Sequence, residues 1–195
     1  MTQVSIEHLV TGAKSGKLVS FPTDTVPALA SRPDCAELIF AAKRRTPNKP
    51  LILMGANAAD LWPYVTGTPE ELQIWQQVAD QYWPGALTLV LPASERVPAV
   101  MNPLEPTTIG VRVPNYALAR QILAQTGPLA TTSTNRSGEP ALQTMAEIEA
   151  HFPEVFTLRL DKAELISPNA GIPSTVAKWT GSSWEILRQG ALKLI

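Results

Sequence analysis

Strand-patterned and helix-patterned segments alternate from one end of the chain to the other, and this limits the fold more than any single motif. Ile6, Leu9, Val10 and Ala13 recur at helical spacing after Ser5, and Gly16 supplies a stop, which predicts a helix over 5–15. A strand is expected over 18–21. The segment from Thr23 to Pro33 reads as a strand-to-helix loop, and Asp34 with Glu37 has capping-box spacing before a helix running to about Lys43. A buried strand follows over 51–54. Thr68-Pro69-Glu70-Glu71 opens the next helix with cap, N1 proline and N3 acid in place, and Trp83-Pro84-Gly85 ends it. Ala86 to Leu91 is an apolar run too short for a helix. Thr108 to Val113 alternates, with Ile109, Val111 and Val113 on one face and Thr108, Gly110 and Arg112 on the other. Further on come a helix from Pro114 to about Ala124, a strand over 129–132, a helix capped by Thr144 and Glu147, and a strand over 156–160. A hairpin of 174–179 and 184–188 closes the pattern through Thr180-Gly181-Ser182-Ser183.

The stretch 92–106 is the longest loop expected, and no repeat or composition break marks a boundary. Residues 1–195 therefore read as one α/β domain, with a mixed sheet because a hairpin sits among crossover units. A chain of 195 residues with 45% hydrophobic and 17% charged residues can bury such a core. Lys and Arg number 16 against 17 acids, a net charge of -1, which argues against a surface that binds polyanions as a whole. One cysteine, Cys35, allows no internal disulfide, and with only His8 and His151 a structural zinc lacks ligands. No apolar run nears the ~20 residues of a membrane span, and the start MTQVSIEHLV lacks the apolar stretch of a signal peptide. A soluble, unprocessed cytoplasmic protein is the expectation.

Lys43-Arg44-Arg45-Thr46-Pro47-Asn48-Lys49 places four cations in seven residues at a helix end. Such a run suits a triphosphate, and equally a solvated helix C-terminus. Arg112 faces either solvent or a cavity, and in a cavity its fork would grip a carboxylate. The turn Ser133-Thr134-Asn135-Arg136-Ser137-Gly138 follows a strand directly, where α/β sheets bind ligands, though ordinary polar turns look the same. Arg188 shares a strand face with Trp184 and Ile186, as a snorkelling residue or as a phosphate ligand. Neither GxxxxGK[ST] nor GxGxxG occurs, and neither histidine lies near the serine-rich turn for a catalytic triad. Cys35 falls at the first position of a capped helix, with no partner histidine apparent, and reads as a buried structural residue.

Seven pieces in order carry a resemblance over nearly the whole chain. They are Phe21-Pro22-Thr23-Asp24-Thr25-Val26, Lys43-Arg44-Arg45 with Lys49-Pro50-Leu51, Trp83 to Thr88, Thr108 to Pro114, Ser133-Thr134-Asn135 with Ser137-Gly138, Ser174-Thr175-Val176 and Arg188-Gln189-Gly190. Together they resemble the YrdC-like family of threonylcarbamoyl-AMP synthases. The resemblance implies a twisted mixed parallel/antiparallel sheet flanked by helices around a large, concave, positively lined cavity. It also implies synthesis of L-threonylcarbamoyladenylate from L-threonine, bicarbonate and ATP with Mg²⁺, releasing pyrophosphate. Other enzymes would then load the threonylcarbamoyl group onto adenosine 37 of tRNAs reading ANN codons. By family position Lys43, Arg45, Thr108, Asn135 and Arg188 would hold ATP, and Thr23, Thr25, Arg112, Ser133 and Ser174 would surround threonine. Lys43 and Arg45 would stabilise charge, with no protein nucleophile and no direct metal ligand. Two positions depart from the family pattern: Pro27-Ala28 replaces its usual Tyr-Gly, and Met54 stands where a pocket histidine is frequent. The rival class is a double-stranded RNA or tRNA-binding module without catalysis; the near-neutral charge balance and the lack of a basic stripe oppose it and predict weak tRNA binding. A second enzyme reading, carbamoyl-phosphate chemistry as in hydrogenase maturation factors, would need zinc-finger and acylphosphatase-like segments.

Overall fold

A computed structural model describes residues 2–44, 49–136, 138–160 and 171–194. Its strands are β1 (Gln3–Val4), β2 (Val19–Phe21), β3 (Ala28–Ser31), β4 (Ile52–Met54), β5 (Leu87–Pro92), β6 (Thr108–Arg112), β7 (Leu129–Ser133), β8 (Phe156–Leu158), β9 (Thr175–Trp179) and β10 (Trp184–Arg188). They form one sheet in the order β1-β8-β2-β3-β7-β4-β6-β5-β9-β10. The sheet is mixed: β4 with β6 and β5 with β9 run parallel, whereas β3 with β7, β4 with β7 and β5 with β6 run antiparallel.

The helices are α1 (Ile6–Lys14), α2 (Glu37–Ala42), α3 (Pro69–Tyr82), α4 (Ala117–Thr126) and α5 (Met145–His151). Two carry the full capping box expected. Thr68 Oγ1 accepts from Glu71 N at 3.2 Å while Glu71 Oε2 accepts from Thr68 N at 2.9 Å, and Thr144 with Glu147 repeats the arrangement. Helix α1 buries Leu9, Val10 and Ala13 and packs on α4, which buries Ala119, Ile122 and Leu123. The alternation in β6 is realised as expected, with Ile109, Val111 and Val113 all at most 2% exposed. On the same side of the sheet Leu87, Leu89 and Leu91 of β5 are fully buried, and Trp75 of α3 meets Trp179 of β9 edge-on at 6.4 Å. That side is the core. The opposite side, bearing Thr108, Gly110 and Arg112, is the one available for a site.

Four expectations are corrected. The segment Thr23 to Pro33 contains β3, a four-residue strand rich in alanine that lies fully buried between β2 and β7. Alanine is depleted in strands because it offers little to pack, but between two neighbouring strands the backbone pairing decides. Asp34 does not cap α2. Its carboxylate is bound by Arg32, through Nε at 2.9 Å and a shorter contact from Nη2, and α2 starts without a side-chain cap after a 3₁₀ turn over Pro33–Cys35. Cys35 accordingly ends that turn; it is half-buried, and burial pushes its thiol pKa up. Finally, β10 carries a bulge between Ile186 and Arg188, so Ile186 pairs with Ala177 and Arg188 with Val176. The extra residue takes Arg188 out of simple phase with Trp184 and Ile186.

Candidate active site

Arg112 ends β6 at 4% exposure and spends its guanidinium on three partners. Nε donates to the Gly85 carbonyl at 3.1 Å, Nη1 to Thr25 Oγ1 at 2.9 Å, and Nη2 to Asp24 Oδ1 at 2.6 Å. A guanidinium has five N–H donors, so two are unused among the described residues. Burial pushes the Arg112 pKa down, Asp24 opposes that shift, and the positive charge of Arg188 adds to it. The two arginines therefore feel each other. The turn that follows α3 holds Gly85 where a Cβ would lie 2.3 Å from the Tyr82 carbonyl oxygen, so a side chain at this position would push the Arg112 acceptor aside.

The loop between β2 and β3 supplies the other walls. Thr23 Oγ1 accepts from Thr25 N at 3.1 Å, lies 3.2 Å from Thr25 Oγ1 and donates to the Val26 carbonyl at 2.8 Å. These bonds fix Thr25 toward Arg112. Beside Arg112 on β4 sits Met54, its register partner, at 4% exposure. Met54, where the family pattern often has a histidine, thus gives the arginine an apolar flank. The departure at Pro27 has a backbone use: the Pro27 carbonyl accepts from Thr134 N at 3.2 Å and from Thr134 Oγ1 at 3.1 Å, tying the entrance loop to the turn after β7.

Ser174 and Arg188 join the Arg112 end. Ser174 Oγ lies 2.9 Å from Thr88 Oγ1, and Arg188 reaches the Ser174 carbonyl through Nε at 3.1 Å and Nη2 at 2.7 Å. Nη2 also contacts Ser174 Oγ at 3.2 Å. Partial burial pushes the Arg188 pKa down.

At the other end, Lys43 is 2% exposed at the close of α2. Its Nζ donates to the Ser133 carbonyl and, at 3.2 Å, to Asn135 Oδ1, which also accepts from Ser133 Oγ at 2.6 Å. Asn135 Nδ2 is in turn fixed by the Arg136 and Glu139 carbonyls. Thr108 lies at this end too, with its hydroxyl and carbonyl each 3.3 Å from Asn102 Nδ2. Thr108 and Arg112 are four residues apart on one strand face, or ~13 Å at the usual strand rise.

The structure thus gathers nine of the ten residues expected at the site into two groups. Lys43, Thr108, Ser133 and Asn135 stand at one end of the sheet face; Arg112, Ser174 and Arg188 stand at the other, with Thr23 and Thr25 joining them from the loop. Arg45 lies outside the described residues, as does Ser137 of the polar turn. The grouping crosses the expected division by ligand at two positions: Ser133 keeps company with Lys43, and Arg188 with Ser174. Sequence reasoning did not single out Asp24 or Thr88. An available signal for Asp24 was its standing as the sole acid between Glu7 and Asp34, and for Thr88 a lone hydroxyl in the apolar run 86–91. A pocket of about 310 Å³ adjoins the Arg112 end, bordered by Asp24, Tyr82, Gly85, Asn115 and Leu192 among others. Its charged lining residue is Asp24, so this pocket does not have the positive lining that the resemblance implies. His8 and His151 bind Ser5 Oγ and the Glu147 carbonyl on exposed helices, away from both groups.

The fold is a mixed α/β sheet with one core-packed side and one side carrying buried arginine, lysine and hydroxyl groups. Residues 12–190 match the sequence profile of Sua5, YciO and YrdC, described as "Telomere recombination", and the chain belongs to that family. It is 34% identical over 186 residues to a threonylcarbamoyl-AMP synthase of Pyrococcus abyssi, covering 93% of this chain but only 52% of that protein. To the threonylcarbamoyl-AMP synthase of Vibrio campbellii it is 32% identical over 193 residues, covering 95% of this chain and 99% of the other. The chain therefore spans about half the length of the first relative and nearly all of the second. Among solved structures, Pyrococcus abyssi Sua5 complexed with L-threonine superposes with a TM-score of 0.82 at 32% identity, over 96% of this chain and 54% of that one. Escherichia coli YciO, at 21% identity, shares the fold with a TM-score of 0.77 over 95% of this chain and 89% of its own. Among the described residues no helix is long and apolar enough to cross a membrane.

Proposed function

We propose that the chain makes L-threonylcarbamoyladenylate from L-threonine, bicarbonate and ATP, releasing pyrophosphate. The observation that supports this most is the two-ended polar face, with a forked cation at one end and a buried lysine at the other. The names of the relatives and the threonine complex of the Pyrococcus abyssi protein point the same way. At one end the two unused N–H groups of Arg112 take the threonine carboxylate, with Thr23, Thr25 and Ser174 around it. At the other, Lys43 with Asn135 and Thr108 takes the nucleotide, and Ser133 holds Lys43 in place; Arg45 is assigned to the nucleotide by family position alone. Arg188, fixed on Ser174, lies where both ligands come within its reach.

The chemistry needs no protein nucleophile. The threonine amine and bicarbonate combine to a carbamate with loss of water; a carbamate oxygen then attacks the α-phosphorus as the bond to pyrophosphate breaks. The residues contribute alignment and neutralisation of the charge that develops on the leaving group. Among the described residues no three His, Cys, Asp or Glu side chains converge to hold an ion. We assign Mg²⁺ to the phosphate oxygens of the nucleotide, as the resemblance implies. The adenylate would pass to enzymes that modify adenosine 37 of tRNAs reading ANN codons, with tRNA itself bound weakly and the work done in the cytoplasm. The test is incorporation of labelled bicarbonate into a product with the mass of the threonylcarbamoyl adenylate. Label is expected only with both L-threonine and ATP present; label incorporated without threonine contradicts the proposal.

A further inference from the structure

Asp24 is 3% exposed, and one of its oxygens, Oδ1, is taken by Arg112 at 2.6 Å. The other, Oδ2, has no hydrogen-bond partner among the described residues, and Asp24 borders the 310 Å³ pocket. The remaining lining is uncharged: Gln81, Tyr82, Gly85, Asn115 and Leu192 bring amide, phenol and apolar surface. A carboxylate can accept at both oxygens, so the bond to Arg112 leaves Asp24 able to take a second donor. A buried carboxylate oxygen without a donor, at the wall of a pocket that among the described residues holds no other charged side chain, favours a hydrogen-bond donor such as an ammonium.

We propose that Asp24 Oδ2 binds the ammonium group of an α-amino acid ligand whose carboxylate goes to Arg112. This rests on the threonine reading above and deepens it, because it assigns the second charge of the zwitterion. Opposite charges on the ligand then meet opposite charges of one buried ion pair, and the pair orients the amine as well as the acid. The 310 Å³ pocket is lined by Asp24 and not by Arg112, so it gives room to the amine side of the ligand, and the carboxylate meets the Arg112 N–H groups beyond that lining.

The experiment compares L-threonine with 2,3-dihydroxybutanoate, the same molecule with a hydroxyl in place of the amine, by calorimetric titration in the presence of a non-hydrolysable ATP analogue. The native protein should bind threonine at least about tenfold more tightly, the size expected for a charge-assisted bond. Asp24→Asn should lose about tenfold or more toward threonine and change little toward the dihydroxy acid. Equal affinity of the native protein for the two ligands overturns the proposal, as does loss of both in the same proportion in the variant, which would leave Asp24 acting only through Arg112. If Asp24→Asn fails to fold, the comparison on the native protein still decides. Failure of the threonine reading has a different signature: threonine does not titrate, while another L-amino acid does and depends on Asp24.

Discussion

Lys43 Nζ and Asn135 Oδ1, separated by 92 positions in the sequence, meet at 3.2 Å, and the same lysine bonds the Ser133 carbonyl. Both of these acceptors are neutral oxygens, and they hold the lysine at the end of the sheet face where Ser133 and Asn135 stand. Lys43→Met should lower the affinity for a non-hydrolysable ATP analogue by more than about tenfold, because a charge-assisted contact in a water-poor site disappears. Calorimetric titration checks this, and an unchanged affinity would remove Lys43 from the nucleotide site.

Arg188 gives a prediction about coupling. Its guanidinium grips the Ser174 carbonyl, Ser174 Oγ meets Thr88, and its charge reaches Arg112. Arg188→Ala should therefore weaken both threonine and the ATP analogue, each by several-fold, while circular dichroism stays native. Loss of the nucleotide alone would restore the simple division by ligand that family position implies.

Arg112 and Asp24 form a buried ion pair, with side chains 5% and 4% exposed. Removing one partner leaves a buried charge uncompensated, so Arg112→Met should cost about 3–5 kcal/mol of unfolding free energy. Arg112→Lys keeps the charge but cannot reach Gly85, Thr25 and Asp24 together, and should fall between the native protein and the methionine variant. Denaturant unfolding of the three proteins supplies the ranking; a lysine variant as stable as the native protein would contradict it.

Acid sensitivity has a local source in the capping boxes. The Thr68 backbone N–H, and after it the Trp179 indole N–H, hold the Glu71 carboxyl below its ordinary value. A lowered folded pKa gives stability that is present above the unfolded value and is lost as pH falls through the folded one. Glu71→Gln should thus lose less stability than the native protein between about pH 5 and about pH 3. Denaturation midpoints across that range test it, and parallel curves would argue against a role for this carboxylate.

Much of the scaffold was legible in the sequence because its signals are local. Thr68 with Glu71 and Thr144 with Glu147 cap helices within three residues, and the alternation of Ile109, Val111 and Val113 gives one strand its two faces. Spacing alone failed at Asp34, where Arg32 offered the carboxylate a charged partner two residues away and won over the helix end. It failed again at Ala28–Ser31, whose strand is made by β2 and β7 rather than by its own residues. At the site, residue types were readable and their company was not. That Arg188 sits on Ser174 depends on a bulge, and that Asp24 meets Arg112 depends on a contact 88 positions long.

Pyrophosphate release by the purified chain tests the central claim most directly, measured with ATP, bicarbonate and L-threonine together and with each left out in turn. Pyrophosphate should form only in the complete mixture, because the attacking group is a carbamate that needs both threonine and bicarbonate. Release without threonine, or orthophosphate in place of pyrophosphate, would contradict the account.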